Sequence, residues 1–574
     1  MLNLMWDGLN ILYLYKAGIL VFLVTIFGLG NFIFERIQMR EIDREIKFLA
    51  SFSIGAIVLS VLSYIAAWLG LFFPILFRPA AFLLLLFSIL VIVRGIWLGE
   101  FKGIFSFRLT GILVGLLLLL VVRMAFLEHS LLPSYSDSPI HYQLVADLLN
   151  PGSGHAINLS LGNIFQQYYH LGFHSQAAWL VALTGMAPGD VLSLLGQIYL
   201  VLVPISILFL TWQLTGSMHG AIFAGFLSAV AWYMPAFAVN WGKFPALSSL
   251  ALLPAALAFM RYYLPGNMHR KNIIFICLLL AGGIMLLHTR IILCILLAVG
   301  AMFLSNKMLE ADELGFPQAL RLSLLYILSM FPIYQLIVDF YSGIPSAIGW
   351  LILLPFSFQA FPRVSLAVIL FMLGSWFTAL VPPLLVQNGP ELIDRQFLEI
   401  MMYIPFSILG GAGFAGMLKK LSARISMQRA AAIALVVFSS LVFLKGETLL
   451  PDPCCNYFEA DDQAAFQWIE GNVPHDSLIL ISTAELKGQT TGTDAGIWIQ
   501  PLLGLSTNKI PYDMNWRSQK AREDGCLSEA DSIFIYAGGR QYSFQDSSLQ
   551  SVSWIQRVFV SGKVTIFRIT GCGY

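Results

Sequence analysis

The sequence predicts a polytopic α-helical membrane protein of about 14 spans with a small extracytoplasmic α/β domain at its C-terminal end. Three observations predict it. The 574 residues are 58% hydrophobic and only 11% charged, whereas soluble domains carry roughly 25% charged residues. Apolar runs of about 20 residues, the length that crosses a bilayer core, recur as far as about residue 446. After Glu447 the composition turns polar and turn-rich, with short β-like runs.

The runs place spans at 11–34, 48–70, 76–97, 107–127, 190–214, 217–239, 244–263, 271–288, 289–306, 319–340, 346–361, 363–386, 396–418 and 428–446. The first has no small-residue cleavage site followed by a soluble domain, so it reads as a retained span and not a signal peptide. The eleventh is short and flanked by prolines, and 173–187 reads as a re-entrant or interfacial helix. Between the fourth and fifth spans lies a long polar insert, 128–189. Of the 24 Lys and Arg residues in 1–446, 17 fall in alternate loops, around Arg36 to Lys47, Arg94 to Arg108, Arg261 to Lys271, Lys307 to Arg321, Arg363 and Lys419 to Arg429. The positive-inside bias makes that side cytoplasmic. Both termini, the insert and the C-terminal domain are then expected outside the plasma (inner) membrane.

Three segments follow: an N-terminal transmembrane extension 1–106, a transmembrane core 107–446 with its external loop, and the extracytoplasmic domain 447–574. That last domain is long enough for its own core, with a helix from Ala460 to Gly471 and strands at Ser477 to Ser482, Ser532 to Tyr536 and Lys563 to Ile569. Cys277 and Cys294 fall inside spans as packing residues. Cys454, Cys455, Cys526 and Cys572 fall outside, where an oxidising compartment favours one or two disulfides of undetermined pairing. The net charge of +1 points to no nucleic-acid partner.

Ionisable residues gather at the expected outer end, where charge is costly and therefore paired or functional. In Ser-Asp-Ser-Pro-Ile-His, Asp137 and His141 stand one helical turn apart. Asp137 also suits a helix N-cap. His170 and His174 come from the same insert. Lys243 sits in Asn-Trp-Gly-Lys-Phe-Pro, His288 and Arg290 in His-Thr-Arg, and Glu391, Asp394 and Arg395 in another outer turn. Lys243 also suits snorkelling from a span end, and Arg395 has Asp394 and Glu391 within reach as ion-pair partners. An acid beside several cations suits transfer from a lipid-phosphate donor: the carboxylate deprotonates a hydroxyl or holds a metal, and the cations neutralise the departing phosphate.

With these residues the chain resembles the GT-C superfamily of integral-membrane glycosyltransferases, which use polyprenyl-phosphate-linked sugars. Ser-Asp-Ser-Pro-Ile-His-Tyr-Gln-Leu-Val-Ala-Asp looks like that superfamily's acidic motif in its first external loop. Tyr-Tyr-His-Leu-Gly-Phe-His-Ser-Gln looks like the interfacial segment that follows, and Ile-Asp-Arg-Gln-Phe resembles its basic-aromatic element. The tail, with Asp-Asp-Gln-Ala-Ala-Phe-Gln-Trp-Ile-Glu, looks like its appended α/β domain. The resemblance implies an inverting transfer to a glycan, lipid or protein acceptor, with Asp137 as general base, His141 beside it and Arg395 on the donor phosphate.

Lys243, His288 and Arg290 join Arg395 by charge and topology. His170, His174, Asp494, Trp498 and Trp516 are the acceptor-side candidates; a Trp in the core of a small domain is the alternative for the tail. No Asp-x-Asp or Glu-x-Asp pair stands near Asp137, so a divalent cation, Mg²⁺ or Mn²⁺, is left open, with Asp137 its ligand if one binds. The alternatives are a transporter or flippase for a lipid-linked or polar substrate, and a non-catalytic cell-envelope scaffold. Internal repeats, usual in transporters, are not visible.

Overall fold

The computed structural model describes residues 2–36, 42–150, 170–263, 270–330, 340–341, 344–385, 392–421, 426, 449–486, 489–526 and 532–570. The expected span 428–446 and the cations Arg424 and Arg429 lie outside them, as do Glu391 and Cys572. The apolar runs fold as helices. The first is split at Tyr15 into α1 (Leu2–Leu14) and α2 (Lys16–Arg36). There follow α3 (Arg44–Phe72), α4 (Pro74–Trp97), α5 (Phe107–Glu128), α6 (Ser138–Leu149), α7 (Gly172–Thr184), α8 (Pro188–Thr215) and α9 (Met218–Val230). Next come α10 (Phe244–Tyr263), α11 (Arg270–Leu287), α12 (Ile291–Met308), α13 (Phe316–Ser329), α14 (Ile344–Ala360), α15 (Pro362–Leu385), α16 (Arg395–Met401) and α17 (Tyr403–Leu421).

Among the described residues, nine helices are long and apolar enough to cross a membrane, and Met218–Val230, Ile274–Leu287 and Trp350–Ala360 are shorter apolar helices. The expected span 217–239 stops early: α9 ends at Val230 and the chain turns through a 3-10 helix, Ala236–Val239, just past Pro235, which has no N–H to donate. Helix α7, of 13 residues, is about 20 Å long, too short for a core of about 30 Å. It begins against Leu286 at the end of α11, and Met186 beyond it lies against Gly18 near the start of α2.

Residues 1–106 do not form a separate layer. Helix α3 packs against α7, α8, α10 and α11, and one apolar core runs from Ile11 to Leu418. Polar contacts tie it in: Gln176 donates to the Ala56 carbonyl at 2.9 Å, Trp179 to Ala81 at 3.2 Å, and Ser206 to Ser53 at 2.9 Å.

The basic loops meet at one end of the bundle. There Arg108 pairs with Glu45 at 2.6 Å and Asp43 at 3.1 Å, Arg94 with Glu35 at 3.7 Å, and Arg363 with Asp312 at 3.3 Å. Phe34, closing α2, packs on Phe209 of α8 and Phe259 of α10 and so draws their ends to the same side.

The tail is an α/β domain at the opposite end. Helix α18 (Ala460–Asn472) is followed by β1 (Leu478–Leu486), β2 (Gln489–Gly492), β3 (Ser506–Pro511), β4 (Ile533–Ala537), β5 (Ile555–Ser561) and β6 (Val564–Ile569). They form one six-stranded sheet of order β2-β1-β4-β6-β5, with β3 also on β1. Strand β1 is parallel to β3 and β4, and β6 is antiparallel to β4 and β5. Side chains alternate between two cores. Ile479, Ile481, Phe534, Tyr536 and Ile566 face one; Leu480, Ile535 and Phe567 face the other. A sheet buried on both faces needs nearly unbroken apolar strands, which is why β1, β4 and β6 stand out in the sequence. Cys454 and Cys455 form a disulfide with each other.

Candidate functional site

Helix α6 opens with Pro139 in its first turn, where a missing N–H costs nothing. Asp137 occupies the N-cap position, yet its side chain makes no capping hydrogen bond. It accepts from Lys243 Nζ at 2.6 Å, across 106 residues of sequence. The side chains are 34% and 27% exposed, and a partly exposed ion pair adds at most about 1 kcal/mol. Stability alone is a poor reason to assemble it.

Gly242 sets the approach. Its φ is +61°, and a Cβ there would stand 2.6 Å from Ser138 Oγ and 2.9 Å from the Ser134 carbonyl. The loop before Lys243 therefore rests directly on the first turn of α6. On the other flank, Tyr135 has φ +70°, a costly conformation for a non-glycine residue. Its N–H donates to the Cys455 carbonyl at 2.8 Å.

One turn along α6, the buried His141 places Nδ1 2.9 Å from His174 Nε2. His170 stacks at a tilt on His288 with ring centroids 4.3 Å apart, and His288 lies 4.9 Å from the Phe397 ring. Gly172 explains the convergence: a Cβ on it would meet the Leu286 backbone at 2.6 Å, so α7 starts hard against the end of α11. Arg290, two residues beyond His288, pairs with Asp394. Asp394 caps α16 by accepting from the Phe397 N–H at 2.7 Å. Arg395 pairs with Glu399, one turn ahead on its own helix, at 2.6 Å.

The electrostatics divide the residues into two groups. Burial pushes His141 down to about 4, with Asp137 opposing and Lys243 assisting. Burial, then the neighbouring His141 ring and the Arg290 charge, pushes His170 down to about 3. Burial also holds His288 well below the ordinary imidazole range. At neutral pH these rings are uncharged donors and acceptors. This corrects the expectation of His288 as a phosphate-neutralising cation. The cations are Lys243, Arg290 and Arg395, each held by a carboxylate.

The structure thus brings Asp137, His141, His170, His174, Lys243, His288 and Arg290 into one neighbourhood. Arg395 joins through Asp394, which it adjoins, and is not in contact with Asp137. The sequence offers Asp394 and Glu391 to Arg395, the latter outside the described residues; the partner found is Glu399, whose i,i+4 spacing from Arg395 was the available signal. Sequence reasoning also overlooked Gly242.

The tail candidates lie elsewhere. Trp498 and Trp516 are fully buried in the two cores of the sheet domain, so they present no face for a sugar to stack on. The buried Asp494 accepts from Ser482 at 2.7 Å, Ser543 at 2.6 Å and the N–H groups of Gly496 and Gly538 at 2.9 and 3.2 Å. These contacts give it a structural role. Among the described residues no three His, Cys, Asp or Glu side chains converge as a metal site, and Asp137 is engaged by Lys243.

Residues 48–338, just over half of the chain, match the family described as "Family of unknown function (DUF6541)". That stretch includes Asp137, Lys243, the four histidines and Arg290, and stops short of Arg395. No curated protein matches the chain.

Proposed function

The chain belongs to the DUF6541 family, and from its geometry we propose that this member is a membrane glycosyltransferase of GT-C type. It moves a sugar from a polyprenyl-phosphate-linked donor to a glycan, lipid or protein acceptor at the outer face of the plasma membrane. The single observation that carries the reading is the Asp137–Lys243 contact, a partly exposed acid and base at the end of an apolar bundle. Arg290 lies in the same neighbourhood, Arg395 adjoins Asp394, the partner of Arg290, and the α/β domain covers the same end.

In the reaction the acceptor hydroxyl loses its proton to the Asp137 carboxylate. The acceptor oxygen forms a bond to the anomeric carbon while the bond from that carbon to the phosphate oxygen breaks. The electron pair leaves with the phosphate. Lys243 and Arg290 take up the developing charge, Arg290 through its two-pronged donor geometry. The acids that hold these cations in the free chain yield their places to phosphate oxygens when the donor binds. The neutral histidines hold this arrangement together by hydrogen bonds and packing and add no charge of their own. The positive-inside bias supports the assignment of this end to the outside.

The test is in vitro transfer from polyprenyl-phosphate sugars by the full chain in detergent or nanodiscs. Asp137→Asn is expected to lower turnover by about 10²- to 10⁴-fold, the usual worth of a general base. Lys243→Gln is expected to act at the same step. Arg321→Gln, an exposed residue on α13, should leave transfer unchanged. Full transfer by a folded Asp137→Asn protein would overturn the reading.

A further inference from the structure

At the end of the bundle away from Asp137, the last turns of α8, α10 and α12 meet the first turn of α15. Between them is a cavity of about 200 Å³ lined by Arg261, Ser305, Asn306, Asp312 and Arg363. Beneath it, sharing Leu214, Met302, Val364 and Ala367 with its wall, runs an almost wholly apolar slot past Leu257, Ala298 and Phe371. From Val364 to Phe371 the slot follows α15 for about 10 Å. A polar mouth over an apolar shaft fits a molecule with one head and a hydrocarbon chain.

The charges at the mouth specify the head. Arg363 is occupied: it pairs with Asp312 at 3.3 Å, and its Nε donates to the Leu309 carbonyl at 3.0 Å. Ser305 donates to the Met302 carbonyl at 3.0 Å. Arg261 is partly buried and, among the described residues, makes no ion pair or hydrogen bond. A guanidinium with no counter-charge among the described residues calls for an anion at a membrane boundary, and its planar fork matches phosphate oxygens. Among the described residues lining the mouth the carboxylate is Asp312, and it pairs with Arg363.

We propose that this cavity and slot bind one anionic phospholipid, its phosphate on Arg261 and one acyl chain between α10, α12 and α15. The site is independent of the transfer chemistry proposed above, which lies at the other end of the bundle.

Native mass spectrometry of the full chain, released from phosphatidylcholine nanodiscs doped with phosphatidylglycerol, tests it. One phosphatidylglycerol should survive on the wild type, with phosphatidylcholine lost first. Arg261→Gln should weaken its retention by about tenfold or more, the worth of a charge-assisted hydrogen bond. Arg261→Lys, which keeps the charge without the fork, should fall between. Ala367→Phe, which fills the slot, should lose the lipid with Arg261 intact. Arg321→Gln should retain it. Equal retention of both lipids would overturn the proposal, as would retention by Arg261→Gln or an equal loss in Arg321→Gln. Displacement by inorganic phosphate as effective as by phosphatidylglycerol would overturn the acyl-chain assignment.

Discussion

His141 stays neutral because its ring is buried, and that makes it a source of acid sensitivity. Its pKa lies at about 4 in the fold, against about 6.5 for a free imidazole. Between those values the unfolded chain binds the proton and the folded chain does not. The contribution is complete above pH 6.5 and is lost as pH falls toward 4, by at most about 3 kcal/mol. His141→Gln keeps an amide near His174 and removes this titration. Its melting temperature should fall less than the wild type's between pH 7 and pH 4.5; identical slopes would refute the assignment. At this scale the sequence was legible where charge conflicts with a lipid boundary, as at Asp137, Lys243 and Arg290. It was not legible where burial decides ionisation: nothing in His-Thr-Arg announces that His288 will be packed between two rings. For Trp498 and Trp516 the sequence offers both an acceptor platform and a place in the core of the small domain, and burial decides for the core.

Helices were legible because apolar runs of span length have no other stable state in lipid. Strands β1, β4 and β6 were legible for the related reason that both their faces are buried. Strands β3 and β5 escaped because only one residue of each is fully buried, and β2, Gln-Thr-Thr-Gly, has no apolar residue to signal it. What sequence patterns do not carry is how two elements touch, and the loop ahead of α10 shows this. Gly242→Ala would force a Cβ to within 2.6 Å of Ser138 Oγ at a φ of +61°, so the loop must lift from α6. The expected cost is about 1–3 kcal/mol in stability. The Lys243–Asp137 contact should lengthen with it, lowering transfer far more than the loss of stability explains. Wild-type turnover in Gly242→Ala would show that the close approach does not position Lys243.

Taken whole, the molecule is a helical bundle and a two-faced sheet domain joined at the candidate site. The helices of residues 1–106 pack directly on those that follow, a contact that apolar runs alone do not announce. The small sheet region at the C-terminal end was legible because its polar, turn-rich composition departs from that of the apolar helices before it. The join itself is specific. Asn240 Oδ1 accepts the Asp452 N–H at 2.8 Å, Tyr135 donates to Cys455, and the Tyr142 ring meets Trp498 edge-on at 5.8 Å. All three bundle-side residues lie within five positions of Asp137 or Lys243, so the domain's seat and the reactive pair share the same short segments. Removing the Asn240 acceptor strands the Asp452 N–H, at a cost of about 1–3 kcal/mol, and Tyr142→Ala empties the ring contact. In the double variant, amide exchange should rise about 10-fold or more across residues 132–149 and 452–458 together. Exchange in α8 and α10 should not change, because their burial belongs to the bundle core. If 452–458 loosened while 132–149 kept its protection, the α/β domain would be a passenger on the bundle and no part of what holds Asp137 in place.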